Sequence, residues 1–241
     1  MAHPFDTDTE ASGLCAFVDA SPSPFHACAE AGRRLEAAGY SLLSETDAFP
    51  AERGRYYLIR GGSLIAWSSE SAGSSAAPAT PFRVVGAHTD SPNLRIKPRP
   101  DLSRAGFQLL GVEFYGGPLF NSWLDRDLGL SGRVAVRDSS GFHTRLVTIN
   151  EPVLRVAQLA VHLDRGANEA LTLNPQQHLT PLWGVSTEPG DFRGYLAAAA
   201  GADASDQVVA TGLGREGVGL AQEAEAGRLE PASGLGAGVE R

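Results

Sequence analysis

Lysine is almost missing from this sequence: Lys97 stands alone, and arginine carries the rest of the positive charge. The formal net charge is −8, so the basic surplus of a nucleic-acid footprint is lacking and no nucleic-acid partner is expected. Cysteine is nearly as scarce. Cys15 and Cys28 are too few for a disulfide framework, and they form no Cys-x-x-Cys pair. No apolar run approaches the ~18 residues of a membrane span, so no membrane partner is expected. The opening MAHPFDTDTE is acidic and polar where a secretory signal is basic and then apolar; the expected compartment is a reducing cytoplasm. A G-x-S-x-G elbow, a phosphate-binding loop and an H-E-x-x-H helix are likewise absent.

What is present is ordinary globular composition, 42% hydrophobic and 20% charged over 241 residues, enough for two domains and a sizeable core. Leu14, Phe17 and Val18 recur at helical spacing, and Ser21-Pro22-Ser23-Pro24 interrupts them. Ser23 suits the cap of a second helix with Pro24 at its first position, running about 24–38, stopping at Gly39 and turning Phe25, Cys28 and Leu35 to the core. Tyr56–Ile59 and Ser63–Trp67 flank Gly61-Gly62 as a β-hairpin. Residues 68–81 read as a loop. Phe82–Ala87 reads as a short strand ending at His88. Strands follow at Phe107–Phe114, Gly132–Arg137 and Thr144–Ile149, then an amphipathic segment over 152–165. From Val208 to Arg241 there are eight glycines and no aromatic residue. Such a segment buries too little apolar surface to offset its ordering entropy, so 208–241 is expected to be disordered.

Three places carry candidate chemistry. In Gly86-Ala87-His88-Thr89-Asp90-Ser91-Pro92, an extended backbone puts His88 and Asp90 on one face. His88 is placed to ligate a metal while the Asp90 carboxylate, directly or through another group, orients the site, since a carboxylate behind a metal-bound imidazole fixes its tautomer. Asp-Ser-Pro is equally ordinary turn chemistry. In Trp123-Leu124-Asp125-Arg126-Asp127, the two acids suit either a catalytic pair or an ion-paired turn; spacing favours the turn, with Arg126 able to hold a carboxylate. If 153–165 is helical, Val156, Leu159, Ala160 and Leu163 form one stripe and His162 lies off it, toward solvent or a partner. His178 has no decisive context.

These motifs, taken in order, resemble the aspartyl aminopeptidase family of cocatalytic zinc metallopeptidases, above all its bacterial members. The resemblance runs from about residue 12 to 207. It rests on Phe17–Ala27, on Tyr56-Tyr57 with Gly62–Ala66, on His88–Pro92 with Leu94–Lys97, on Gly111–Glu113 through Tyr115-Gly116-Gly117 to Trp123–Leu128, on Leu159–Leu163, and on Asn174 to Leu182. It implies an α/β catalytic domain of zinc-exopeptidase type, begun by residues 1–95 and interrupted by a β-rich dimerisation domain at 96–207. It implies a peptide substrate with an acidic N-terminal Asp or Glu, a homo-oligomer built on dimers, and two zinc ions that activate water and polarise the scissile carbonyl. Carried over, His88 is a metal ligand and Asp90 the catalytic acid supporting the metal site. His162 matches a histidine counted either as a zinc ligand or as a substrate-binding residue reaching across the dimer.

The later half of the family pattern is not found. There is no Glu-Glu pair and no histidine after His178. The chain therefore reads as truncated and inactive alone, because each ion of a two-metal site needs about three protein ligands or bridging groups. The alternative reading is a non-catalytic dimerisation fragment or remnant of such an enzyme.

Overall fold

The computed structural model describes residues 7–70, 83–188, 190–202, 207–211 and 219–222. Two helices come first, α1 (Thr7–Asp19) and α2 (Pro24–Ala37). The break between them has the local cause expected. Ser23 is extended and its hydroxyl accepts from the His26 N–H, while Pro24 occupies the first turn. Gly39 ends α2 with φ 83, in the left-handed region that glycine adopts freely. Phe25 and Cys28 are buried, Leu35 only partly; α1 buries nothing.

α2 lies on a small sheet of β1 (Ser41–Leu42), β2 (Arg55–Arg60) and β3 (Ser63–Ser68). β2 and β3 form the expected hairpin, with Arg60 opposite Ser63 and Gly61 at φ 59. A Cβ on Gly32 would stand 3.2 Å from both Ile59 and Tyr57, so α2 packs closely there. The Tyr57 hydroxyl donates to the Glu36 carboxylate at 2.7 Å.

The larger body is antiparallel: β4 (Asn93–Arg104), β5 (Phe107–Tyr115), β6 (Asp127–Asp138), β7 (Gly141–Arg155), β8 (Leu182–Val185), β9 (Gln207–Thr211) and β10 (Gly219–Gln222), with α3 (Pro175–His178) before β8 and α4 (Phe192–Ala199) after it. The order is β10-β4-β5-β8-β7-β6-β9, and β10 also pairs with β6. Gly219 lies opposite Arg95 on one side and Ser131 on the other, so the strands close into a ring and β9 adds to the free stretch of β6. Closure removes exposed ladder edges. Alternate residues point inward, among them Leu94 and Ile96, Leu110 and Val112, Val134 and Val136; Phe192 and Leu196 of α4 complete the core.

The helices are tied to this ring. The buried Ser131 hydroxyl donates to the Pro22 carbonyl at 2.7 Å, and the Arg133 guanidinium lies 4.2 Å from the centre of the Phe25 ring. His26 is bonded on both ring nitrogens, to Ser23 at the cap of its own helix and to Thr148 of β7.

Several expectations are corrected. Residues 83–92 form no strand, and Val84 and Val85 are 86% and 97% exposed; Phe82 lies outside the described residues. Apolar patterning needs a partner strand to become a ladder, and no described strand pairs with this run. Residues 153–165 are not helical. β7 runs on to Arg155, with Leu154 and Val156 both buried at the two-residue period of a strand, while Leu159 and Leu163 are 61% and 74% exposed. β4 crosses the expected domain boundary at 95/96 and escapes a pattern reading because Pro98 and Pro100 are poor ladder residues; the register shifts between Ile96 and Asp101, which accommodates them. β10 and most of β9 lie in the segment expected to be disordered, since ladder hydrogen bonds to β6 and β4 do not need large side chains; the rest of 208–241 lies outside the described residues.

Candidate active site

His88 sits in the irregular run between the hairpin and β4. Its Nδ1 is 2.8 Å from the main-chain carbonyl oxygen of Asp90. A carbonyl only accepts, so Nδ1 carries the proton and the Nε2 lone pair is left for another partner. The ring is exposed. In this structure the Asp90 carbonyl, not its carboxylate, meets the imidazole. The carboxylate accepts instead from the Tyr115 hydroxyl at the end of β5. That bond, more than any other influence, holds the Asp90 carboxyl below its ordinary range and pushes the Tyr115 phenol up.

Three contacts fix this run in place of a ladder. The Thr89 hydroxyl donates to the Gly62 carbonyl in the hairpin turn at 2.5 Å. Tyr115 holds Asp90. Pro92 lies against Gly116, where φ is 76. The Arg95 guanidinium covers the Tyr115 ring at 3.4 Å. Tyr115 and Arg95 were missed as site residues by sequence reasoning; the available signal was a tyrosine closing a strand just before Gly116-Gly117, which says nothing about what its hydroxyl reaches.

The other candidates lie apart from this cluster. Asp125 and Asp127 form the ion-paired turn, but the cation is Arg155, 2.9 Å from Asp127 and 3.7 Å from Asp125, rather than Arg126, which is exposed. His162 is exposed within turns and makes no hydrogen bond or ion pair among the described residues. The His178 ring accepts from the Asn174 N–H at 3.0 Å and closes α3. Among the described residues no three His, Cys, Asp or Glu side chains gather where they would share a metal ion. The donors here therefore do not by themselves fit a zinc site. Among these residues, too, no helix is long and apolar enough to cross a membrane.

The described residues thus form a mixed α/β fold in which an exposed imidazole, aligned by its own main chain, lies on an irregular run joined to a closed β ring. The chain belongs to the aminopeptidase I zinc metalloprotease family (M18), which it matches over residues 17–198. It is 52% identical over 196 residues to a probable M18 family aminopeptidase 2 of Mycobacterium bovis, covering 81% of this chain and 44% of that protein. A namesake from Streptomyces avermitilis is 53% identical over 196 residues, with 80% and 44% covered. The cryo-EM structure of the Ape4 and Nbr1 complex contains a chain of similar fold, TM-score 0.73 and 31% identity, covering 91% of this chain and 46% of that one. The chain thus spans a little under half the length of these relatives.

Proposed function

We propose that this chain is the N-terminal half of a zinc aminopeptidase that releases acidic N-terminal residues, Asp or Glu, from peptides, acting in the cytoplasm as a homo-oligomer built on dimers. The observation that carries the reading is the His88 imidazole, proton on Nδ1, Nε2 directed away from its one support. A neutral imidazole in that tautomer is the form a divalent metal binds. In this reading His88 is a metal ligand, Asp90 is the acid that supports the metal site, and the remaining ligands of two zinc ions come from the half of the family pattern not found here. Turnover by the 241-residue chain alone is then expected to be unmeasurable, since general acid–base catalysis by itself contributes on the order of 10²–10⁴.

His162 is assigned to a substrate site across the dimer rather than to zinc in its own subunit. Its exposure and lack of partners among the described residues support this, as do the exposed Leu159 and Leu163 beside it. A second reading, a non-catalytic dimerisation fragment, is favoured by the absence of any three-donor cluster among the described residues.

The test is a chain completed with the remaining length of an M18 relative, assayed on Asp-, Glu- and Leu-aminoacyl substrates with and without chelator. Faster, chelator-sensitive turnover of the acidic substrates supports the reading; equal rates, or indifference to chelation, refute it. In the same protein His88→Ala should lower zinc content and His162→Ala should spare it. Mixed inactive subunits of the two variants should recover activity if His162 serves its partner. Equal zinc loss in both variants, with no recovery on mixing, assigns His162 to its own subunit's metal.

A further inference from the structure

Between β7 and α3 the chain forms an arm, residues 157–173, that carries His162. Residues 157–172 are exposed except for the half-buried Ala167. The turns of the arm close on themselves: the Leu163 and Asp164 N–H groups donate to the Ala160 carbonyl, and those of Glu169 and Ala170 to the Gly166 carbonyl. Among the described residues no hydrogen bond or ion pair leads from 159–173 out of the arm. An arm with so little packing takes its direction from its two ends. At the far end Asn174 caps α3, and Gln176 bonds to Lys97 of β4 and Glu113 of β5.

The near end is held by Asp125. Leu124 and Val156 form an isolated parallel bridge, and the Asp125 N–H donates to the Val156 carbonyl at 2.8 Å. A parallel ladder carried one step further would bring the Gln158 N–H to the Asp125 carbonyl. Asp125 stands instead at φ 52, in the left-handed region that aspartate and asparagine enter more readily than most side chains. Its carbonyl accepts from Arg155 at 2.8 Å, and the Gln158 N–H goes to the Asp125 Oδ1 at 3.2 Å. The carboxylate thus takes the place of its own residue's carbonyl, and Gln158 is the last residue before His162 that is held from outside the arm.

We infer that Asp125 is a positioning residue for His162: its carboxylate fixes the root of the 157–173 arm and so the direction in which His162 is presented to the partner subunit. This rests on the reading of His162 as serving a site across the dimer. Asparagine at 125 tolerates the same backbone and keeps an oxygen for Gln158, so it should keep the hold. Glycine adopts the backbone without strain but offers no acceptor, so it removes the hold alone.

The first test uses the 241-residue chain. Order parameters from ¹⁵N relaxation should be near ~0.85 over 158–164 in wild type and in Asp125→Asn, and should fall below ~0.6 in Asp125→Gly, with 175–178 unchanged. A wild-type arm already below that value, or an Asp125→Gly arm as ordered as wild type, overturns the inference. The second test uses the completed chain. Asp125→Gly should keep its zinc and lose turnover about two- to tenfold, the scale of one hydrogen bond, while Asp125→Asn stays close to wild type. Mixing Asp125→Gly with His88→Ala subunits should raise activity above the sum of the two alone, because the His88→Ala subunit supplies a sound arm to a sound metal site. Mixing Asp125→Gly with His162→Ala should bring no gain, because both arms are then defective. A tyrosine, aspartate or any other group needed only for its own subunit's fold would not follow His162 in this way. If Asp125→Gly does not fold, Gln158→Pro deletes the donated N–H from the other side and should sort with His162 in the same mixtures; failure to do so overturns the inference equally. Should His162→Ala be rescued by His88→Ala while Asp125→Gly is not, the inference falls and the reading of His162 stands. Should His162→Ala itself not be rescued, that reading falls, and the order parameters alone decide whether Asp125 holds the arm.

Discussion

Pro92 lies against Gly116: a Cβ on that glycine would stand 3.3 Å from both the Cα and the Cγ of the proline. The contact sets the end of the His88–Pro92 run beside the end of β5, and Gly116 makes it with φ 76. Gly116→Ala should therefore cost about 1–2 kcal/mol from the left-handed backbone alone. It should also move the amide signals of residues 88–92, which a comparison of assigned spectra with urea unfolding of the same variant measures. Unmoved signals would mean that Pro92 yields freely.

Gly129 has a different constraint. It lies where the β6–β7 register shifts, and a Cβ there would run into the Ile149 carbonyl oxygen, which is backbone and cannot swing aside. Gly129→Ala is expected to lower stability by about 1–3 kcal/mol, seen as a fall in the urea midpoint at unchanged slope.

Burial first, then the Glu36 carboxylate, pushes the Tyr57 phenol up to about 12. The folded state then keeps this proton after the unfolded chain, with its ordinary value near 10, has lost it. Stability from Tyr57 is complete below pH ~10 and is lost as the pH rises toward about 12. Thermal unfolding between pH 9 and 11.5 should show a decline that is reduced in Tyr57→Phe.

Burial lowers the pKa of His26, where the helix pair meets β7. The sign is opposite. Above pH ~6.5 the ring is neutral in both states; below it the unfolded chain takes up a proton that the folded chain resists, so stability falls with acid until the lowered folded value is passed. The urea midpoint should drop between pH 7.5 and 5.5 in wild type, and less in His26→Gln, which retains groups able to bond Ser23 and Thr148.

What the sequence determined by itself is what short-range chemistry controls. Ser23-Pro24 and Gly39 bound α2 because a cap and a left-handed stop act within four residues, and Gly61-Gly62 sets the hairpin for the same reason. His88 and Asp90 were legible as a pair, since two residues' separation keeps them together in any extended run. Tertiary structure decided the rest. Whether Phe82–Ala87 becomes a strand depends on a neighbour, not on its valines. Whether 153–165 is helix or strand turned on Leu154 and Val156 finding the core of the ring. Arg155 reaches Asp127 from 28 residues away, and Tyr115 reaches Asp90 from 25. β10 closes the ring through ladder pairing of Gly219 and Leu220 with both β4 and β6, too short a stretch to carry a readable pattern in the sequence. Hydrogen bonds between distant backbone and side-chain groups leave no periodicity in the sequence, so the partner of each site residue emerges only when the chain has folded.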